Sequence, residues 1–223
     1  MTISWHGQSC FEITAGTQKN GPVKIVIDPF SEEIGLKMPK LSADILLVTH
    51  DHPDHNNIKA VSPSAGTSGQ AFLISGPGEY EAKGVYVRGI PSFHDQEQGK
   101  ERGQNCVYVI EAEELKLCHL GDFGQKELTS EQVEQIGEVD VLMIPVGGNY
   151  TISSAEAAKT MAQIEPRITI PVHYALPKLK VKLDGLDKFL KTLGIKSAEP
   201  LSKLTVKKKD LPTDEAKIIV LTP

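Results

Sequence analysis

The sequence predicts an α/β protein of the α+β kind, with sheets packed together and helices covering the outside. Three observations carry this. Short β-branched and apolar runs bounded by turn residues recur through both halves of the chain. Helical periodicity and capping signals are confined to the second half. No Gly-x-Gly-x-x-Gly lies between a strand and a helix, which sets aside a dinucleotide-binding doubly wound sheet. No repeat with a period of roughly 20–50 residues is visible either.

Taken in order, residues 2–13 suit a strand pair or one bent strand, with Trp5, Phe11 and Ile13 apolar and Gly7 interrupting. Residues 15–22 form a turn by composition. Residues 23–27 are a β-branched run stopped at Asp28-Pro29, hence a mostly buried strand. Residues 31–44 read as loop or short helix, and 45–48 as the next strand. Strands follow at 71–74, 85–90, 106–110 and 115–120. The stretch 95–104 has no apolar residue and reads either as a solvated loop or as a rim over a site.

In the second half, Thr129 or Ser130 can cap a short helix that runs to Gly137. Ser153 and Glu156 have capping-box spacing and open a helix that stops before Pro166. Leu186, Phe189, Leu190 and Leu193 fall at i, i+3, i+4 and i+7 of a third helix, ended by Gly194. Strands at 139–144, 168–172, 204–208 and 217–221 surround these helices.

With 223 residues and 39% hydrophobic content, the chain can build one domain, 1–223, around a sizeable core. A net charge of -5 argues against a general nucleic-acid footprint. Lys207-Lys208-Lys209 has no interleaved aromatics and reads as a solvated strand end. Cys10, Cys106 and Cys118 are odd in number and lack CxxC spacing, so they read as reduced core residues. No basic-then-apolar opening and no membrane-length apolar run is present, and the expectation is a soluble, cytoplasmic protein. No heptad or exposed apolar stripe reveals an oligomeric state.

The chemistry concentrates at His50-Asp51-His52-Pro53-Asp54-His55, directly after an apolar strand. His50 and His52, two apart, can converge on one point, while Pro53 bends the chain so that Asp54 and His55 address a second. Imidazole and carboxylate together suit zinc, iron or manganese. As a merely structural feature, this ionisable density would repel and desolvate badly. Further ligand candidates stand after apolar strands: His94, Asp122 behind Gly121, and His173. Each alone could be an ordinary hydrogen-bonded residue.

Together, His50-x-His52-x-Asp54-His55, His94, Asp122 and His173 resemble the metallo-β-lactamase superfamily, whose signature is HxHxDH followed by His, Asp and His. Ile27-Asp28-Pro29-Phe30, His119-Leu120-Gly121-Asp122, Pro145-Val146-Gly147-Gly148 and Ile170-Pro171-Val172-His173-Tyr174 resemble its branch of small hydrolases related to ascorbate-6-phosphate lactonases. That branch often reads Gly-His where this chain reads Gly7-Gln8. The resemblance implies a four-layer αββα sandwich with two divalent ions, zinc first, with manganese or iron accepted. It implies that His50, His52 and His94 hold one ion, that Asp54, His55 and His173 hold the other, and that Asp122 bridges them. His119 is expected to support the site by a hydrogen bond.

Two divalent ions sharing a water lower its pKa towards neutrality and supply a hydroxide nucleophile. Asp122 would hold the ions together and Asp54 would orient the nucleophile. No G-x-S-x-G elbow competes with this scheme. The expected activity is hydrolysis of a small ester, lactone or phosphoester, an anionic one included, because bound cations reverse the local field. The alternatives are a phosphodiesterase or nuclease of the same superfamily, and a non-catalytic metal-binding protein retaining the fold. Gly147-Gly148-Asn149-Tyr150 reads equally as an anion-binding nest or a tight strand-to-helix connection. Tyr174 could donate to a leaving group or simply pack beside the site.

Overall fold

The computed structural model describes residues 1–17, 21–65 and 69–223. The first half contains β1 (Thr2–Trp5), β2 (Phe11–Thr17), β3 (Gly21–Ile27), β4 (Leu41–Ala43), β5 (Ile45–Leu47), β6 (Val61–Pro63) and β7 (Phe72–Ile74). It continues with β8 (Gly78–Ala82), β9 (Val85–Phe93), β10 (Gln104–Ala112) and β11 (Leu115–His119). Then come α1 (Ser130–Ile136), β12 (Val141–Pro145), α2 (Ser154–Ile164), β13 (Ile168–Val172), α3 (Leu186–Thr192), β14 (Leu204–Thr205) and β15 (Lys217–Ile218).

Two sheets form the body, ordered β14-β1-β2-β3-β5-β7 and β15-β13-β12-β11-β10-β9-β8, with β4-β6 a separate ribbon. Each sheet is antiparallel on one side and parallel on the other: β3, β5 and β7 run parallel, as do β11, β12, β13 and β15. Alternation along the strands decides which face points inward. Ile25 and Ile27 of β3, with Ile45 and Leu47 of β5, enter the central core, while Val26 and Leu46 turn to the opposite face. Burying each such side chain contributes about 1.5–3 kcal/mol.

The central strands β12 and β13 of the second sheet are buried at every position, as their apolar and β-branched runs require. The parallel steps β11 to β12 and β12 to β13 each need a crossover, supplied by α1 and α2. Ile136, Ala157, Ile164 and Phe189 carry the three helices into the core. The outer face of the first sheet is covered instead by Phe30, Ile34 and Met38 from the β3–β4 connection and by Leu41 of β4. The result is a metallo-β-lactamase-type sandwich with mixed sheets and few helices. α2 opens on the anticipated capping box of Ser153 with Glu156, and Thr129, one of the two expected caps of α1, forms a box there too, with Gln132.

Several elements differ from expectation. Residues 31–44 contain a single 3-10 turn, Glu32–Ile34, and the short β4. Strand 204–208 shrinks to Leu204–Thr205, because Lys208 enters a 3-10 turn and its ammonium pairs with Asp140 at 2.9 Å. Only Lys217–Ile218 of 217–221 pairs as a strand, with Leu221 bridging to Leu201. β8 was not anticipated: its sequence, GEYEA, lacks the β-branched run of a strand and is held by antiparallel pairing to β9. The turn expected at 15–22 narrows, since β2 and β3 reach Thr17 and Gly21, and positions 18–20 lie outside the described residues.

Candidate metal centre

Four strand ends deliver the seven candidate side chains to one place. β5 runs out into Val48 and Thr49, pinned by Val48 N–H donating to Ile74 O at 2.9 Å and Tyr108 Oη donating to Val48 O at 2.8 Å. His50 and His52 follow directly. The N–H groups of His55 and Asn56 both return to His52 O, at 2.9 and 3.0 Å, so the chain folds back and brings Asp54 and His55 alongside. Asp51 points away to Asn56, a spacer in fact as well as in spacing.

His94 ends β9, and its backbone lies so close to Gly124 that a Cβ there would stand 2.3 Å from His94 C. Asp122 follows β11 through Gly121, with its N–H donating to Asn105 Oδ1 at 3.1 Å. His173 ends β13, and a Cβ on Gly147 would meet its carbonyl oxygen at 2.1 Å. Gathering side chains beyond the carboxyl ends of parallel strands is the general habit of such sheets.

The donor atoms fall into two groups, His50 with His52 and His94, and Asp54 with His55, Asp122 and His173, each group's atoms within 4.8 Å of one another. The rings of His50 and His52 are 4.6 Å apart, and those of His50 and His94 are 4.8 Å apart. Asp122 Oδ2 stands 3.3 Å from His55 Nε2, 3.3 Å from His94 Nε2 and 3.2 Å from His173 Nε2, so it touches both groups. All seven expected residues are therefore brought together.

A second set of residues fixes the orientation of the first. The Asp28 carboxylate accepts from Thr49 N–H at 2.8 Å and Thr49 Oγ1 at 2.7 Å, and it stands 3.1 Å from His55 Nδ1. His55 thus donates Nδ1–H to Asp28 and directs the Nε2 lone pair inward. Thr49 Oγ1, its proton given to Asp28, accepts from His50 Nδ1 at 3.0 Å. His119 accepts from Gly121 N–H at 3.0 Å and donates Nε2–H to Ser9 O at 2.9 Å, while Ser9 Oγ donates to Asp122 Oδ1 at 3.2 Å. That is the supporting role expected of His119. Gln8 Nε2 donates to Asp54 Oδ2 at 3.3 Å, and Gln8 O accepts from His173 N–H at 3.2 Å.

Asp28, Thr49, Ser9 and Asn105 were missed as site residues. Only Asp28 carried a signal, through the Ile27-Asp28-Pro29-Phe30 motif at the end of β3. Gly147-Gly148 forms a tight connection: Gly147 O accepts from Asp184 N–H at 2.8 Å, and a Cβ on Gly148 would meet the Asp184 carboxylate at 3.1 Å. An acid at that point opposes an anion nest. Tyr174 is buried against Trp5, ring centroids 5.1 Å apart, and burial pushes its phenol up to about 12.

Electrostatics support cation binding here. Burial, with the neighbouring His55, pushes His50 down to about 2, which leaves its imidazole neutral and its Nε2 lone pair free for a metal. Burial would also lower His55, but the charge and hydrogen bond of Asp122, with those of Asp28 and Asp54, hold it well above its usual value. Against its own burial, Asp122 is held well below the carboxylate range by His173 and His55. The Asp54 and Asp122 carboxylates thus favour positive charge beside His55. His50 Nε2 is buried without a hydrogen-bond partner among the described residues, as a ligand atom for a cation would be. The donor set fits divalent zinc, iron or manganese.

A fold of two mixed sheets carrying seven converging imidazoles and carboxylates at its strand ends defines a class. Residues 2–173 match the family described as a beta-lactamase superfamily domain. The chain belongs to the metallo-β-lactamase superfamily and is a metal-dependent hydrolase. Within it, the chain is 30% identical over 201 residues to a UPF0173 metal-dependent hydrolase of Thermococcus onnurineus, covering 77% of this chain and 84% of that one. It is 32% identical to a protein of the same description from Thermoplasma volcanium, over 77% of this chain and 82% of the other. A solved Thermotoga maritima structure, proposed as a Zn-dependent hydrolase of the metallo-β-lactamase superfamily, superposes with a TM-score of 0.77. The two are 35% identical, covering 99% of this chain and 97% of that chain.

Proposed function

We propose that the chain is a dinuclear hydrolase of small esters, lactones or phosphoesters. His50, His52 and His94 would hold one divalent ion and Asp54, His55 and His173 a second, with Asp122 placed beside both groups. The observation that carries this reading is the division of the donor atoms into two compact groups that share Asp122 as neighbour. When bound, the ions, zinc first with manganese and iron also suited, supply a hydroxide nucleophile and Lewis acidity at the scissile group.

The chain's own residues do the rest. Asp28 and Thr49 lock His55 and His50 in the tautomers that present Nε2. Asp54, half-buried and tied by Gln8, is the carboxylate placed to orient the nucleophile. Ser9 and Asn105 hold Asp122 in register. The substrate is a small molecule, and the acidic net charge of -5 weighs against a nuclease reading. Three free, buried cysteines suit a reducing compartment, and we place the protein in the cytoplasm.

Metal analysis of protein purified without added metal, followed by a panel of lactones, carboxyl esters and phosphodiesters with zinc, manganese and iron forms, tests this reading. Close to two ions per chain and turnover of one substrate class are expected. A stoichiometry near zero that no reconstitution raises would refute it.

A further inference from the structure

The candidate metal centre forms the floor of a cavity of about 570 Å³, and its walls contain a charge pattern that the metal site does not explain. Among the lining residues outside the metal groups, Arg102 and Lys180 outnumber the single acid, Glu33. Arg102 also lines a second cavity of about 380 Å³ that His50 and His52 line too. Its side chain therefore borders both cavities.

The loop that bears Arg102 is wound on one carboxylate. Asp95 Oδ1 accepts from the N–H groups of Glu97 and Gly99, each at 2.8 Å. Asp95 Oδ2 accepts from Glu101 N–H at 3.0 Å and from Arg102 N–H at 2.8 Å. Asp95 is only 3% exposed, and with four donors satisfied it does not compete for the guanidinium. His94 N–H donates to Gly103 O at 3.1 Å, tying the turn's far end to the candidate ligand. A stretch that composition marks as a solvated loop is thus a built turn.

Arg102 itself has no strong internal partner among the described residues. Its ion pair with the adjacent Glu101, at 3.3 Å, joins two side chains that are 34% and 59% exposed, and such pairs hold a guanidinium weakly. Its Cζ lies 5.8 Å from the ring centroid of Tyr150, which approaches from the β12–α2 connection and lines the same cavity. An aromatic face beside a guanidinium narrows its orientations and leaves its N–H fork available for two oxygens. Lys180, from the segment between β13 and α3, makes no ion pair among the described residues.

We propose that Arg102, steadied by the Asp95 turn and the Tyr150 ring, is the specificity residue of this cavity. It binds an oxyanion, carboxylate or phosphate, carried by the substrate away from the bond being cut, with Lys180 adding charge from the second rim segment. This deepens the dinuclear-hydrolase reading and rests on it for the identity of the bond. The fork geometry favours bidentate pairing, which a lysine cannot reproduce.

The test separates binding from turnover. Glutarate and inorganic phosphate are titrated calorimetrically into metal-loaded wild type, Arg102→Ala and Arg102→Lys, with metal content measured on the same samples. At least a tenfold weakening is expected for Arg102→Ala, with Arg102→Lys intermediate, and the better of the two probes identifies the oxyanion. In parallel, the ratio of kcat/KM for mono-4-nitrophenyl glutarate over 4-nitrophenyl acetate is expected to fall at least tenfold in Arg102→Ala. Equal affinities in wild type and Arg102→Ala, or no binding of either probe to wild type, would overturn the proposal. Absence of turnover of both esters with the binding difference intact would instead count against the hydrolase reading alone.

Discussion

Asp28→Asn tests whether the centre depends on a residue that never touches the metal. The Asp28 carboxylate meets three donors: Thr49 N–H on Oδ1, and Thr49 Oγ1 and His55 Nδ1 on Oδ2. An asparagine has one acceptor oxygen to divide between these positions. If its NH₂ takes the Oδ2 place, His55 Nδ1 must accept, and the ring proton moves to Nε2, where it blocks ligation. If its NH₂ takes the Oδ1 place, it faces Thr49 N–H, and a buried donor–donor contact costs about 1–3 kcal/mol. Asparagine also tolerates the left-handed backbone of Asp28, at φ 47°, so the change isolates the carboxylate. Loss of such outer support costs about 10–100-fold in metal affinity, which is about 1.4–2.7 kcal/mol. Competition between the stripped protein and a chromogenic zinc chelator reads both sites. The Asp54–His55–His173 site should weaken by that factor, with a smaller effect transmitted through Thr49 to His50. Wild-type affinity at both sites, with circular dichroism unchanged, would refute the reasoning.

Other outcomes follow from the same geometry. Asp122→Ala and His52→Ala should each abolish hydrolysis, and elemental analysis should find less metal in Asp122→Ala than in His52→Ala, because Asp122 touches both groups. In metal-stripped protein, the stability contributed by His55 is complete below its ordinary value of 6.5 and fades as pH rises through its raised value. That of Asp122 is complete above 3.8 and fades as pH falls through its depressed value. The stripped protein's Tm should therefore peak between roughly pH 4 and 6.5, and metal should move the optimum upward by displacing the His55 proton. A stripped protein that gains stability steadily from neutral pH upward would contradict this. Burial raises the thiols of Cys10, Cys106 (to about 12) and Cys118, so a disulfide reagent should titrate none in native protein and three after denaturation.

The candidate ligands were legible because their chemistry is dense and local. Three imidazoles and two acids between His50 and His55 have few other uses, and His94, Asp122 and His173 each follow an apolar strand whose period is plain. The strands of the core, such as β3, β12 and β13, declared themselves by β-branched or uniformly apolar runs. β8 did not, because an edge strand is made by its neighbour's hydrogen bonds and its own residues stay polar. The 95–104 turn stayed undecided because the residue that organises it, Asp95, looks like any loop acid until its four N–H donors are seen. Asp28 was visible as a strand stop, and its partnership with His55 depends on contacts 27 residues apart.

Backbone strain is the part of the centre that sequence hides most completely. Gln8, Asp28 and His173 all adopt left-handed φ, at 48°, 47° and 50°, although none is glycine. Each such residue costs about 1–3 kcal/mol, and Asp28 also precedes Pro29, which biases it towards extended backbone. Other non-glycine residues of this kind, such as Lys83 and Glu113, sit in the tight turns between strands. The three at the centre are held by bonds that oppose relaxation. Gln8 O accepts from the Trp5 indole at 2.8 Å and from His173 N–H at 3.2 Å, and Asp28 N–H donates to Leu47 O at 3.0 Å. Relaxing Gln8 would release Asp54, relaxing Asp28 would release His55, and relaxing His173 would withdraw a candidate ligand directly. The strained positions are thus the ones from which both faces of the second donor group are aimed, and the core packing of β1, β3 and β13 sustains a geometry that local propensity opposes.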